Sequence, residues 1–208
     1  MPIIRGVPIG LLVLAYGLGA VPFAVLVARA RGVDIRAAGS RNPGAHNVMT
    51  QVGRGWGWLV LALDFAKGAL PVLAAQALGY APEAQLAAGT ASMLGHITSP
   101  LLGGRGGKGQ AAGLGMLFVL NPGAAVIGLA LALVILQGTR MVAPAIAAAA
   151  GVILLISLAQ ACPPAVSIAP LVVIGLGLIT ALPEARQLIR QHGGWRAALK
   201  AWRGGREP

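Results

Sequence analysis

The chain has 208 residues, of which 57% are hydrophobic and 10% are charged, and its formal net charge is +11. This composition excludes an ordinary soluble domain and predicts an all-α protein that crosses a membrane several times. The basic charge does not indicate a nucleic-acid partner, because the cations collect at the edges of apolar segments, where they suit lipid headgroups. The only cysteine, Cys162, excludes an internal disulfide and a cysteine metal cluster.

The apolar segments predict seven helices in a single membrane domain over residues 1–208. The first apolar run is too long for a signal peptide and is predicted to be retained. Asn121-Pro122 divides a long apolar stretch, since proline disfavours helical backbone in the residue before it. Some helices are too short to cross a core of roughly 30 Å, so we expect them to pack inside the protein. The predicted ranges are about 7–29, 56–78, 84–101, 110–120, 122–137, 142–159 and 166–182, with a basic tail over 183–208 into which the last helix can continue.

The cations predict the orientation of these helices. Arg5 stands alone at one end of the predicted bundle, and fourteen cations fall at the other end or in the tail. Cytoplasmic loops carry the excess of lysine and arginine, so we expect the N-terminus outside and the C-terminus in the cytoplasm of a bacterial cell membrane. The fourteen are Arg29, Arg31, Arg36, Arg41, Arg54, Arg105, Lys108, Arg140, Arg186, Arg190, Arg196, Lys200, Arg203 and Arg206.

The glycine loop, Gly103 to Gly109, interleaves five glycines with Arg105 and Lys108 before a predicted helix. Glycine disfavours regular structure, and a helix N-terminus attracts anions. A phosphate site and a flexible basic connection are equally consistent with this composition. A Walker A motif is excluded, because Gly109 follows Lys108 where that motif has serine or threonine.

The first loop, residues 31–54, carries Gly39-Ser40-Arg41-Asn42-Pro43-Gly44-Ala45-His46-Asn47. Its many hydrogen-bonding side chains favour a functional role over a plain connection, although both interpretations stay open. His96, near the glycine loop, could be a general base, a phosphate ligand or a packed helix-end histidine.

Asp64 and Lys67 lie three residues apart and therefore share a helix face. Ionisable residues at membrane depth are costly and usually face the interior of a bundle. We predict a structural ion pair in preference to direct chemistry. No metal site is predicted.

Taken together, these stretches resemble the bacterial acyl-phosphate:glycerol-3-phosphate acyltransferases, the PlsY family. The similar stretches cover about residues 5 to 185, and their order and spacing are more specific than any one of them. They are Gly39-Ser40-x-Asn42-x-Gly44-Ala45-x-Asn47-Val48, Leu63-Asp64-Phe65-Ala66-Lys67-Gly68, Gly95-His96 with Pro100, Arg105-Gly106-Gly107-Lys108-Gly109, and Thr139-Arg140-x-Val142.

The resemblance implies a seven-helix membrane enzyme with a cytoplasmic active site and no cofactor. It implies acyl phosphate and glycerol 3-phosphate as substrates, the lipid bilayer as environment, lysophosphatidic acid as product, and is compatible with a monomer. We expect Ser40, His96 and Lys108 to be catalytic. The predicted phosphate-binding residues are Gly39, Asn42, Gly44, Asn47, Arg105, Gly106, Gly107 and Gly109.

The chain departs from the family pattern at several positions. Thr50 stands where the first motif has arginine, and Ala143 stands where a serine follows the Thr-Arg stretch. A third motif, His-x-x-Asn with a later glutamate, is not found near the C-terminus. These departures leave open a diverged member with another acceptor or without catalysis. A transporter is a weaker alternative, because no inverted repeat is visible.

Overall fold

The computed structural model describes residues 6, 8–139 and 142–195. Its elements are all helices, which confirms the predicted all-α class. Three helical segments are long and apolar enough to cross a membrane: Ile9–Ala30, Arg54–Ala77 and Pro164–Gln191. Shorter apolar helices cover Gln110–Leu120, Pro122–Gly138 and Ala145–Ala159.

Nine α-helices follow one another along the described ranges. They are α1 (Ile9–Ala20), α2 (Phe23–Ala30), α3 (Ala45–Gln51), α4 (Arg54–Ala77), α5 (Pro82–Ile97), α6 (Gln110–Leu120), α7 (Pro122–Thr139), α8 (Val142–Ala159) and α9 (Pro164–Gln191), with a short 3-10 helix at Pro100–Leu102.

The predicted continuous helix over 7–29 is wrong, because the chain breaks between α1 and α2. Pro22 has no N–H to continue the helical ladder and pushes the preceding residue out of helical backbone. Val21 accordingly has an extended conformation with ψ of 119°. The break leaves backbone carbonyls without helical partners inside the bundle.

Two other boundaries also differ from the prediction. The first loop contains α3, a helix that was not predicted because turn residues come directly before it. The helix predicted over 84–101 ends at Ile97, because the chain turns before Pro100. The last predicted helix, over about 166–182, does continue into the basic tail, since α9 runs from Pro164 through Pro183 to Gln191.

Glycines bring two pairs of helices into backbone contact. A Cβ on Gly19 of α1 would collide with the Ser92 carbonyl of α5, and one on Gly95 of α5 would collide with the Tyr16 carbonyl of α1. Small residues allow such close approach of membrane helices, where packing replaces the hydrophobic effect as the driving force. The α1/α5 pair therefore has a glycine on each side of its interface.

The α4/α6 pair is built in the same way. Gly68 of α4 faces the Ala112 carbonyl of α6, and Gly115 of α6 faces the Phe65 carbonyl of α4. Because α4 also packs on α5, the two glycine-mediated pairs join into one group of four helices, α1, α4, α5 and α6. Helices α7 to α9 pack beyond α5 and α6.

Two buried clusters fill this architecture. The larger lies among α4, α5, α6 and the last three helices and includes Val72, Met93, Met116, Ile153 and Val173. The smaller joins α2, α3 and α4 beneath the first loop. It includes Val25, Ile35, Val48, Val60 and Leu102. The second cluster anchors both loops at one end of the bundle.

We predict that Gly68→Ala lowers stability although alanine is the better helix former. The added Cβ would meet the Ala112 backbone, and overpacking of this kind typically costs about 1–3 kcal/mol. Thermal unfolding in detergent should show a lower midpoint. Gly175→Ala is the matched control, because a Cβ there has nothing within 4 Å. Equal midpoints for the two variants would contradict the proposed α4/α6 contact.

Candidate active site

The glycine loop folds back on the end of α5. Gly106 N–H donates to the Ile97 carbonyl at 2.9 Å, and Gly107 N–H donates to the His96 carbonyl at 3.2 Å. The N–H groups of residues 103, 104 and 105 likewise donate to carbonyls between Ser99 and Leu102. These N–H groups are therefore occupied by carbonyls of the protein, and the predicted phosphate binding by the N–H groups of Gly106 and Gly107 does not fit the observed hydrogen bonds.

The glycines at 106 and 107 instead permit close packing around His96. A Cβ on Gly106 would collide with the His96 carbonyl, and one on Gly107 would collide with the imidazole Nε2. The same Cβ on Gly107 would lie 3.1 Å from the Pro43 carbonyl. The two predicted loops thus meet at Gly107, with His96 beneath the contact.

Asn47 organises the first loop. Its side chain is 2% exposed, and Nδ2 lies within hydrogen-bond distance of three carbonyls: Ile35 at 3.1 Å, Ala38 at 3.0 Å and Asn42 at 3.1 Å. Its Oδ1 accepts from the Ser40 N–H at 3.2 Å. Because these contacts occupy the amide, Asn47 holds the loop in shape, and direct phosphate binding by its side chain does not fit this geometry.

Asp64 lies at the centre of a buried ionic cluster. Lys67 Nζ is 2.8 Å from Asp64 Oδ1, and His96 Nδ1 is 3.6 Å from the same oxygen. Asp64 Oδ1 is itself buried, and within the described residues Lys67 and His96 are the basic groups that approach it. Asp64 and Lys67 are 2% and 1% exposed, respectively. Their spacing predicted the pair, but not the histidine beside it.

The cluster extends to the break between α1 and α2. Lys67 Nζ donates to the Val21 carbonyl at 2.9 Å, and Ser99 Oγ donates to the Ala20 carbonyl at 2.6 Å. An unpaired backbone carbonyl in a membrane bundle is costly. Lys67 and Ser99 therefore stabilise the irregular backbone that Pro22 creates.

A small pocket lies where these pieces meet. Its walls come from the break in the first helix, the ionic cluster and both loops, and it opens between them. The lining residues are Ala20, Val21, Pro22, Phe23, Ala24, Pro43, Asp64, Lys67, His96, Ser99, Leu102 and Gly107. The sequence analysis did not predict the break between α1 and α2, for which Pro22 was the available signal. It also did not predict the contribution of Ser99, which Ser99-Pro100 could have indicated.

The predicted site residues do not all lie in this pocket. His96 and Gly107 line it, whereas Ser40 and Arg105 are exposed on the two loops. Lys108 is half-buried next to Gly107.

The remaining predicted positions shape the loops. Gly39 and Gly109 have left-handed backbones, with φ of 54° and 76°. Gly44 precedes α3, and Asn42 supplies a carbonyl to Asn47. Arg140 of the Thr-Arg stretch lies outside the described residues.

The fold and the site define a class of protein. It is an integral membrane protein whose helical bundle holds a polar pocket between two glycine-containing loops at one end. The buried cluster of opposite charges and the adjacent basic loop suit binding of an anionic substrate near the membrane surface.

This chain belongs to the glycerol-3-phosphate acyltransferase family, whose sequence profile matches residues 9–191. A glycerol-3-phosphate acyltransferase of Roseiflexus sp. (strain RS-1) is 49% identical over 144 residues, which are 69% of this chain and 71% of the relative. Glycerol-3-phosphate acyltransferase 1 of Deinococcus radiodurans is 44% identical over 131 residues, or 63% and 66% of the two chains.

Two solved structures share the fold. Both are of PlsY, an integral membrane glycerol 3-phosphate acyltransferase, one in the glycerol 3-phosphate form and one in the lysophosphatidic acid form. Their TM-scores are 0.78 and 0.77 at 32% identity, and the match covers 88% of this chain and 92% of each PlsY chain. This likeness confirms the predicted integral membrane protein.

We predict that Asp64→Ala destabilises the fold. Removing one partner leaves Lys67 as an uncompensated buried charge, and breaking such pairs costs about 3–5 kcal/mol. Yield and the midpoint of thermal unfolding in detergent should both fall. The double variant Asp64→Leu/Lys67→Met should recover part of the loss, because it removes both charges. A wild-type midpoint for Asp64→Ala together with abolished turnover would make Asp64 catalytic instead.

Proposed function

We propose that this protein transfers a fatty acyl group from acyl phosphate to the 1-hydroxyl of sn-glycerol 3-phosphate, giving lysophosphatidic acid for phospholipid synthesis. The observation that carries the proposal is the meeting of two motif loops, at Gly107 and Pro43, over a polar pocket in a membrane bundle. The glycerol 3-phosphate and lysophosphatidic acid forms of PlsY support this acceptor and this product.

The proposed reaction needs little covalent chemistry from the protein. The 1-hydroxyl oxygen attacks the acyl carbonyl carbon, the bond from that carbon to the phosphate oxygen breaks, and phosphate leaves with the electron pair. The departing phosphate is basic enough near neutral pH to take the hydroxyl proton. Because acyl phosphate is already activated, the protein contributes mainly proximity and charge stabilisation.

In the proposed reaction, residues of both loops bind the substrates. Lys108 and Arg105 neutralise phosphate from the glycine loop, and the N-terminus of α6, which begins at Gln110, adds a favourable dipole. Ser40 offers a hydroxyl from the first loop, whose backbone Asn47 fixes. Both phosphates can thus be held where the loops meet, which places the acyl carbonyl near the hydroxyl.

We assign His96 to positioning. The His96 residue is 8% exposed, its Nδ1 faces Asp64, and its Nε2 packs on Gly107. The two ring nitrogens therefore contact α4 on one side and the glycine loop on the other, so His96 fixes the position of the loop relative to α4. Through the loop, His96 sets the position of Lys108.

The test of the proposed function uses purified protein with palmitoyl phosphate and labelled glycerol 3-phosphate. Equal amounts of lysophosphatidic acid and inorganic phosphate are expected. An acyl-CoA donor should give no product, which distinguishes the donor class. Absence of lysophosphatidic acid with the wild-type protein would refute the proposed acceptor.

We predict that Lys108→Ala keeps the fold but slows acyl transfer by about 10²–10³, the usual effect of losing one electrostatic donor to a developing charge. Lys108→Arg should rescue only in part, because a planar guanidinium does not replace a compact ammonium. Arg54→Ala, a cation at the start of α4, is the control and should retain wild-type turnover. Wild-type turnover in Lys108→Ala would contradict a role of the glycine loop in catalysis and leave it only a role in setting the membrane orientation.

The orientation in a bacterial inner membrane is part of the proposal. With the N-terminus outside, the first loop and the glycine loop both lie in the cytoplasm, in agreement with their contact at Gly107 and Pro43. Phosphorylated intermediates of lipid synthesis would reach the site from that side.

We predict that a C-terminal reporter fusion is active as a cytoplasmic reporter and silent as a periplasmic one. The reason is the excess of cations on the loops assigned to the cytoplasm. Fusions after Tyr80, in the turn between α4 and α5, should give the opposite pattern. A periplasmic C-terminus would overturn the placement of the site.

A further inference from the structure

Arg41 has a backbone conformation that arginine seldom adopts. Its φ is 59°, in the left-handed region, where the Cβ of an L-residue crowds the following carbonyl. The surrounding loop enforces this geometry: Arg41 N–H donates to the Ala38 carbonyl at 3.0 Å, and Asn47 binds the backbone of both neighbouring residues. Strain that a loop maintains next to a binding site is an indication of function.

The position of Arg41 lets its side chain reach the substrates. Pro43 lines the pocket and faces Gly107, the neighbour of Lys108. Arg41 and Pro43 are two positions apart along the chain, which corresponds to at most about 7 Å of backbone. The Arg41 side chain is exposed. A guanidinium starting there can therefore approach a phosphate held near Lys108.

Arg41 also lies close to the position from which the family arginine is missing. Thr50 occupies that position, and its hydroxyl donates to the Asn47 carbonyl at 3.0 Å. The adjacent Gln51 packs on Gly39, since a Cβ on that glycine would lie 2.7 Å from Gln51 Nε2. The end of α3 thus lies beside the backbone that leads into Arg41.

Other cations of the first loop are engaged or lie apart from the motif. Arg31 places its guanidinium 5.0 Å from the centre of the Trp56 ring. Arg36 lies five positions before Arg41, and its backbone N–H, not its guanidinium, donates to the Asp34 carboxylate at 3.1 Å. The Arg41 side chain makes no hydrogen bond or ion pair with residues of the described ranges.

We propose that Arg41 binds the phosphate of one of the two substrates, supplying from position 41 the guanidinium that the family pattern has at position 50. The proposal rests on the proposed acyl transfer, in which two phosphates must be held at once. Lys108 and Arg105 belong to the other loop, so Arg41 adds a cation from the opposite side of the site. A planar guanidinium can bind two phosphate oxygens together.

The experiment compares Arg41→Gln and Arg41→Gly with the wild type. Acyl transfer is measured with palmitoyl phosphate and glycerol 3-phosphate varied separately. We expect KM for one of the two to rise about 10- to 100-fold, as for the loss of a hydrogen bond to a charged group. Arg41→Gly should have the wild-type unfolding midpoint or a higher one, since glycine relieves the left-handed strain. A structural role alone would not raise KM while stability is kept.

Two further variants test the exchange of positions. Thr50→Arg added to Arg41→Gly should lower the raised KM at least tenfold. Arg36→Gln, an exposed arginine of the same loop, is the matched control and should leave both KM values unchanged. Both KM values within twofold of wild type in Arg41→Gln would overturn the proposal. If Thr50→Arg does not restore binding, the idea that Arg41 replaces the arginine of position 50 is overturned.

A binding measurement separates this inference from the proposed function. If wild-type protein makes no lysophosphatidic acid, thermal unfolding is followed with glycerol 3-phosphate, palmitoyl phosphate, or glycerol as the uncharged control. Stabilisation of the wild type by either phosphate that is lost in Arg41→Gln would support Arg41 as the ligand although the proposed reaction fails. Equal stabilisation of both proteins, or none, would overturn it.

Discussion

The buried Asp64–Lys67 pair is the interaction on which the site depends. A lone charge at this depth would be very costly, so each residue requires the other. Lys67 then also donates to the Val21 carbonyl, and Asp64 faces His96. One ion pair on α4 thereby connects the break in the first helix with the end of α5 and the glycine loop.

This arrangement explains why irregular backbone is tolerated inside the bundle. The carbonyls at the break accept from Lys67 and Ser99, and Gly106 and Gly107 donate their N–H groups to carbonyls at the end of α5. Because these contacts join groups of the protein itself, the shape of the loops does not depend on a bound substrate. Preorganised charge is what a reaction that depends on electrostatic stabilisation requires.

The sequence was sufficient for the fold class and for the Asp64–Lys67 pair, because composition and three-residue spacing are local properties. It could not predict the partners of that pair, since Lys67 and Val21 are 46 residues apart. The glycines at 106 and 107 show a different limit. Glycine, which lacks a Cβ, is equally suited to an anion-binding loop and to close packing on His96. Only the three-dimensional contacts distinguish these two roles. The same holds for Asn47, whose amide is used entirely within the loop.

The glycine contacts between α4 and α6 also affect how the bilayer acts on the site. With 11 residues, α6 is only about 16 Å long, well short of a hydrocarbon core of roughly 30 Å. Lipid cannot enter between two helices whose backbones touch at Gly68 and Gly115, so α6 moves with α4. For this pair, hydrophobic mismatch is therefore set by the 24-residue α4, and a change in bilayer thickness affects the two helices as one unit. The depth of the glycine loop in the membrane follows from α4.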